Sequence, residues 1–466
     1  MKTKIGFNVH SYFSKMNDVN FSSDIINEYR HRAQMIVDNI SSIPSDTHLA
    51  DSEKKYDEIK ERAYLKAREL YGEDLHEFVK VRLEKEFGFI SENDFSLCFW
   101  LPMKIADDSK SKGCPVMSRG ATGSSLVAYL LGLTHVNPLG AHYRCNDCHY
   151  IEFVDDYNSG FDLPAKKCPN CGNDLIRDGH NLPYETLFGF CGDKEPSIEL
   201  NLCEEYKDTF YETLFWLDIL GNDAVQMLKI LKEKTGVEPS ENDLADNAKL
   251  LKSIKEVNTD FLPEMGTAYV KKQIERTQPQ KFSDVVVLNG LLHSTGAYVY
   301  NTEKMFENNV CDFESVIAFR DDVLLYLDKK RKEYIERNGN DAPISHLDCY
   351  KISEIIRKGR AKRELSKYKN ALCEIGVPDW YIDSAKEISY LFPKAHSVEY
   401  MIVSFKLLWY KLNYPNEYLK AYNEINKEYI EEHIGKYKNN EKFKNFVKAT
   451  FVIGIALYRQ FNKSLL

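Results

Sequence analysis

The residues best suited to chemistry are four cysteines in two close pairs, Cys145-x2-Cys148 and Cys168-x2-Cys171, with nineteen residues between the pairs. Two tight knuckles at that separation can close tetrahedrally on one zinc ion, and four thiolates leave no open position for water. The expected metal is therefore a structural Zn2+. His142 and His149 stand nearby as alternative ligands, although a histidine beside such a site more often lies on the surface or orients a ligand. A second pattern is the run Ser118-Arg119-Gly120-Ala121-Thr122-Gly123-Ser124-Ser125, which leads into the apolar segment LVAYLLGL. Glycines and small hydroxyls before a helix expose backbone N–H groups, and Arg119 adds a fixed charge, a combination that suits a triphosphate. The same run also serves as an ordinary helix start, and the residues alone leave both readings open.

These groups need elements to position them. Before them, apolar positions such as Ile25, Ile26, Met35 and Ile36, then Leu65, Leu70, Leu75 and Val79, recur at near-helical spacing and predict helices over 24–90. From 96 to 221 short apolar runs broken by Gly, Pro, Asn and Cys predict strands, turns and loops, a mixed α/β core. Beyond Asn222 helix dominates again, with amphipathic segments expected at 223–236, 245–257, 267–276, 283–292, 313–335, 351–375, 379–391 and 396–434.

The bulk composition narrows the function. A chain of 466 residues, 43% hydrophobic, can build real cores, and a formal charge of −9 excludes coating nucleic acid by bulk positive charge. Any nucleic-acid contact must be local. The longest apolar run of the C-terminal part, 451–458, is far too short to cross a membrane, and the opening residues lack a secretory pattern, so a soluble cytoplasmic protein without membrane contact is expected. The seven other cysteines are scattered (Cys98, Cys114, Cys191, Cys203, Cys311, Cys349, Cys373), and an odd total argues for reduced thiols.

Taken in order, the motifs resemble the PolC branch of the bacterial family C replicative DNA polymerases. The resemblance runs through SRGATGSSLVAYLLGLTHVNPL, the two knuckles, SGFDLP and DGHNLPYETLFGFCGDK, then FLPEMGTAYVKKQIERTQPQKFSD, GLLHSTGAY, FRDDVLLYL, VPDWYIDSAKEISYLFPKAH and LNYPNEYLKAY, over about residues 55–425. It implies an α+β fold: a polymerase-β-like nucleotidyltransferase palm with a zinc-binding insertion, then an α-helical fingers domain, with the thumb missing. The implied division is 1–95 for an N-terminal helical part of the palm, 96–222 for the palm core with its zinc module at 140–180, and 223–466 for the fingers. The resemblance also implies a nucleotide-binding role for Ser118, Arg119, Gly120, Gly123, Ser124 and Ser125, with Met117 standing where a glycine is usual. It places Arg320, Asp321, Lys394 and His396 in fingers motifs that face nucleotide or template. The basic stretch 357–369 lies where relatives carry a Lys/Arg segment near template and is equally readable as a solvated helix face.

Departures from the family pattern set the expected function. Family C polymerisation resembles other two-metal phosphoryl transfers, in which carboxylates hold two magnesium ions. The first two carboxylates fall as Asp-x-Asp after a proline, and the matching segment here is Pro196-Ser197-Ile198-Glu199-Leu200-Asn201-Leu202. Ser197 replaces the first acid with a neutral hydroxyl, and Glu199 is one methylene longer than the second. Asp218 matches the third. Only 18 residues separate Glu199 from Asp218, where relatives carry a far longer segment that includes the thumb. Glu204, Glu205 and Asp208 in that connector are weak substitutes as ligands, being of the kind that usually forms a solvated face. The expectation is a catalytically inactive PolC-like DNA polymerase III homologue, a binding or regulatory protein linked to DNA replication, of phage or mobile-element origin. Its expected partners are DNA or replication proteins such as the host replicative polymerase or its accessory factors. The alternatives are an active DNA-directed DNA polymerase or reduced nucleotidyltransferase that uses Glu199, Asp218 and Mg2+, and a nonfunctional remnant.

Overall fold

Alternation along short strands and one apolar face per helix account for the architecture. The computed structural model describes residues 52–203 and 217–426. The helices expected before residue 52, the acidic residues Glu204, Glu205 and Asp208, and the apolar run 451–458 lie outside the described residues.

Helix α1 (Ser52–Tyr71) buries Ile59, Ala63, Ala67 and Tyr71, one residue per turn on a single stripe. The small alanines let it pack against α3 (Ser96–Ser111), which is buried on almost every side. Leu65, an apolar position expected inside, is instead 65% exposed. The inward stripe of α1 is carried by alanines, which a count of large apolar residues overlooks. Between them, α2 (Glu77–Glu92) buries Val79, Leu83, Phe87 and Ile90, and in the same stripe the carboxylate of Glu86.

In chain order the strands are β1 (Met117–Arg119), β2 (His142–Arg144), β3 (Ile151–Phe153), β4 (Ile176–Asp178), β5 (Ile198–Leu202) and β6 (Leu217–Gly221). They form two three-stranded sheets, ordered β1-β5-β6 and β3-β2-β4. In the first, β5 runs antiparallel to β1 and parallel to β6. Ile198, Leu200 and Leu202 of β5, with Leu217 and Ile219 of β6, turn into the core. The period of two then sends Glu199 and Asp218 to the opposite face. The second sheet is entirely antiparallel and carries the cysteine knuckles on its loops.

Short helices α4 (Leu126–Leu130) and α5 (Glu185–Phe188) complete this part of the molecule. The helix expected over LVAYLLGL stops after five residues, before Gly132 takes a left-handed φ of 70°. The helical remainder includes α6 (Asp223–Thr235), α7 (Phe282–His293), α8 (Arg320–Asn338), α9 (His346–Arg357) and α10 (Lys394–Asn413). Asn222 caps α6 through the amide of Ala224, and left-handed Gly236 ends it. The long segment expected at 351–375 is broken into several short helices after left-handed Gly359, and that expected from 396 is divided at Tyr414, before Pro415.

One contiguous apolar cluster runs from Ile59 to Ala421 and so takes in helices, sheet and α10 together. A second, small cluster (Ala141, Tyr143, Cys145, Leu163, Cys168, Leu175) belongs to the cysteine module alone. The reduced state expected for every cysteine does not hold: Cys114, just before β1, is bonded to Cys203, just after β5. The antiparallel pairing of these two strands brings residues remote in sequence together, a proximity no spacing rule reveals. Among the described residues no helix is long and apolar enough to cross a membrane.

Candidate active site and metal centre

Register builds the site. Arg119 on β1 lies directly opposite Glu199 on β5, and Glu199 lies directly opposite Asp218 on β6. Directly paired residues share a face, so the three side chains form one transverse row across the sheet. The Arg119 guanidinium bridges both acids, with Nη1 3.0 Å from Glu199 Oε2 and Nη2 bonded to an Asp218 oxygen. All three are only partly exposed, at 17%, 27% and 25% of their side-chain surface. Ser197, two residues before Glu199, adds a hydroxyl and no charge. The backbone must come close at Gly120: its φ is 61°, and a Cβ there would fall 2.5 Å from Glu199 Oε1.

Several donors of the loop after Arg119 are engaged inside the protein. Glu86, fully buried, accepts from Ser125 Oγ at 2.6 Å, Leu126 N at 3.0 Å and Val127 N at 3.1 Å, while pairing with Arg82 at 2.5 Å. A carboxylate of the protein thus occupies the start of α4, where a triphosphate was expected to find free amides. Glu399 of α10, also fully buried, accepts from Ser118 N, Thr134 Oγ1 and His135 N, and pairs with His135 Nδ1 at 2.7 Å. Burial alone would raise the Glu399 carboxyl, but the charge and hydrogen bond of His135, with Thr134, hold it below its ordinary value. His396, one turn earlier on α10, accepts from Gly120 N at 3.0 Å. Burial pushes its pKa down to about 4, so the ring is neutral and its Nδ1 is free to accept. It stacks on Tyr400, whose hydroxyl takes a hydrogen bond from Asn201 of β5.

Ser118, Arg119, Gly120 and Ser125 thus lie on one loop with separate partners, namely Glu399, the Glu199–Asp218 pair, His396 and Glu86 in that order, and Ser124 is buried in the same loop with its hydroxyl unpartnered. Gly123 packs against Val136, where a Cβ would sit 2.9 Å away. Arg320, Asp321 and Lys394 meet elsewhere. Arg320 Nη2 and Asp321 Oδ1 hold the backbone oxygen and the hydroxyl of Thr186, and Lys394 Nζ pairs with Asp322 at 2.8 Å. Along the basic stretch, Arg357 and Lys358 pair with Glu354, Arg360 and Arg363 with Glu364, and Lys362 with Glu387, so five of its cations share three carboxylates and a positive excess remains. Glu86 and Glu399 went unnoticed in the sequence. Glu86 had a signal, an acid standing inside the apolar stripe of a helix.

The metal centre follows from the second sheet. The four sulfurs of Cys145, Cys148, Cys168 and Cys171 all lie within 4.8 Å of one another, with the Cys145–Cys171 and Cys148–Cys168 pairs at 3.5 and 3.4 Å. Tetrahedral thiolates at about 2.3 Å from a zinc ion stand roughly 3.8 Å apart, so the donor set fits such an ion. Backbone amides of Tyr150, Asn170 and Asn173 face the sulfurs of Cys148, Cys168 and Cys171. His142 does not join the group: it turns into the core, where Nδ1 meets the Gly140 carbonyl oxygen at 2.8 Å. Nor does His149. Behind the knuckles, buried Asp178 accepts from Asn137, Tyr129 and Arg144 and ties the module to the body. Burial opposes its ionisation, yet Arg144 and its other donors bring the carboxyl down to about 2.

Comparison with known proteins agrees with this architecture. Residues 57–275 match the model of the bacterial DNA polymerase III alpha NTPase domain, and 222–371 match that of the bacterial DNA polymerase III alpha subunit finger domain. The chain belongs to the bacterial DNA polymerase III alpha family, with a palm region followed by fingers. Within it, the chain is a PolC-like homologue. It is 28% identical to the PolC-type DNA polymerase III of Bacillus subtilis, across 86% of this chain and 35% of that one. The PolC-type enzyme of Thermotoga maritima is 28% identical across 87% of this chain and 37% of its own, and that of Staphylococcus epidermidis 29% across 78% and 33%. The chain thus spans about a third of the length of these relatives. An alignment 521 residues long that draws on 86% of a 466-residue chain also leaves roughly 120 positions of the alignment opposite nothing here.

Proposed function

We propose that this chain is a pseudo-polymerase: a PolC-like palm and fingers that binds a partner in DNA replication without joining nucleotides. The observation that carries it is the row Arg119–Glu199–Asp218, in which a guanidinium holds the two remaining acids. Two-metal transfer needs several anionic oxygens at short, near-octahedral geometry, and Ser197 offers none. A fixed positive charge about 4 Å from a divalent cation costs on the order of 8 kcal/mol at an effective dielectric of about 20. Gathering one magnesium, let alone two, would require Arg119 to leave. The triphosphate role of Ser118, Gly120, Gly123, Ser124 and Ser125 is weakened likewise, because Glu86, Glu399 and His396 already take donors of the loop. Arg320 and Lys394, spent on Thr186 and Asp322, add little to a nucleotide site.

The four-cysteine centre is read as structural Zn2+, since four thiolates close the shell. A palm at 96–222 with its zinc module at 140–180, preceded by 1–95 and followed by fingers from 223, is supported by the end of β6 at Gly221 and the start of the finger match at 222. The connector from Glu199 to Asp218, 18 residues, is too short to hold a thumb. A setting in a phage or mobile element, in the cytoplasm, with the host polymerase or its accessory factors as partners, belongs to the same proposal.

The test is primer extension by the purified chain with magnesium and with manganese. No template-dependent incorporation is expected; incorporation that disappears in Asp218→Ala would overturn the proposal. A second reading, a reduced one-metal nucleotidyltransferase, draws on one observation: Glu199 and Asp218 are direct neighbours on parallel strands and share a face. Calorimetry with nucleoside triphosphates separates the two, since that reading requires affinity that rises with magnesium and falls in Asp218→Ala.

A further inference from the structure

On the fingers, away from the carboxylate row and the cysteine module, residues 351–369 hold eight Lys and Arg against two acids, Glu354 and Glu364. On a chain whose net charge is −9 this is a local reversal of sign. Left-handed Gly359 follows the end of α9, and the short helical turns at 361–368 come back against that helix. Between them opens a cleft of about 340 Å³. Lys351, Lys358, Arg360 and Lys367 line it together with Glu354 and Glu364, and Tyr350, Ile355 and Tyr368 add apolar surface. Both acids already serve more than one cation. Glu354 takes Arg357 at 2.7 Å and Lys358 at 3.1 Å, and Glu364 takes Arg363 at 2.5 Å and Arg360 at 3.5 Å. The Nε of Arg360 is buried without a hydrogen-bond partner. Lys351 and Lys367 have no ion pair among the described residues, and Lys367 lies over the Tyr368 ring, 5.0 Å from its centroid. Asp348, the other carboxylate beside these two lysines, accepts from Ser345 Oγ at 2.7 Å. With Asp348 counted, six cations face three carboxylates. Nucleic acid held by charge is gripped through on the order of 6–10 phosphate contacts, whereas here only Lys351 and Lys367 are uncommitted. Two such lysines beside two tyrosines complement a short polypeptide in which carboxylates alternate with apolar side chains.

We propose that this cleft docks an acidic segment of a partner protein, its carboxylates on Lys351, Lys367 and Arg360 and its apolar side chains against Tyr350, Ile355 and Tyr368. Such docking rests on the reading of the chain as a binding protein and gives its partner a chemistry.

Fluorescence anisotropy on the full chain tests this with three labelled probes: a short peptide of glutamate alternating with leucine, the same peptide with glutamine in place of glutamate, and a single-stranded oligonucleotide of similar length. The acidic peptide should bind, more weakly as salt is raised, and about ten-fold more weakly to the double variant Lys351→Gln, Lys367→Gln. Both lysines lie on the surface, so the double variant keeps its melting temperature. No binding of the acidic peptide, equal binding of the glutamine peptide, or binding that the double variant leaves intact would each overturn the proposal. An oligonucleotide that binds more tightly than the acidic peptide, and is lost in the same variant, would overturn it in favour of nucleic acid. Primer extension reports on the binding-protein reading alone, so the two can fail separately.

Discussion

At the scale of single residues, charge decides what the sheet can do. Glu199 and Asp218 direct their oxygens at Arg119, and a cation already inside the protein takes the place in which an added cation would sit. Arg119→Ala should therefore raise the affinity for manganese by about ten-fold or more, as read by electron paramagnetic resonance or calorimetry; equal affinity in the two proteins would show that the guanidinium is not the obstacle. Glu86 poses the opposite problem, an anion with no exposure that is held only by its donors. Glu86→Ala strands Arg82 and the amides at the start of α4, and breaking such a buried pair costs about 3–5 kcal/mol. Urea denaturation should report that loss, and a change below about 1 kcal/mol would remove Glu86 from its assigned place as the internal anion of the loop.

At the scale of elements, the palm and fingers regions are joined by a few ionic contacts set between helices. His346 at the start of α9 touches Asp328 of α8 through Nδ1 at 2.8 Å and Glu185 of α5 through Nε2 at 3.3 Å. Hydrogen bonds to Asp328 and then Glu185, opposed by burial, raise its pKa to about 9. A raised folded-state value means stability that is fully present below about 6.5, the ordinary histidine value, and lost as pH rises towards 9. The ring is 37% exposed, so solvent screening leaves roughly 1–2 kcal/mol. Melting curves should show a fall in Tm between pH 6.5 and 9 that is markedly smaller in His346→Gln; parallel curves for the two proteins would refute the assignment. Helix α10 is the other tie, reaching β1, β5 and the loop through Glu399, Tyr400 and His396.

At the scale of the whole molecule, core continuity decides what unfolds together. The large cluster joins the palm region to the fingers, whereas the cysteine module has its own small cluster and four cysteines placed so that they could hold a metal ion. Metal-binding energy is folding energy for such a module. A strong chelator should release close to one equivalent of zinc per chain and expose the amides of 140–178 to hydrogen exchange, while the amides of α10 keep their protection. Loss of protection in both regions at once would mean that the metal supports the entire fold.

Read without coordinates, the chain already declared its cysteine centre, its mixed core between two helical stretches and its family. Each of these is written in local spacing or residue type, which the backbone cannot hide. The break-up of 351–375, the five-residue length of α4 and the outward turn of Leu65 were not legible, because helix ends and faces are settled by what packs against them. The bond between Cys114 and Cys203 and the seizure of the loop amides by Glu86 and Glu399 needed contacts between distant segments. Above all, Arg119 could be read from the chain as a phosphate ligand, and only strand register set it opposite Glu199 and Asp218. Residue types fixed which charges this protein possesses; tertiary pairing chose which of them neutralise one another, since Coulomb energy depends on distances that one-dimensional order does not contain.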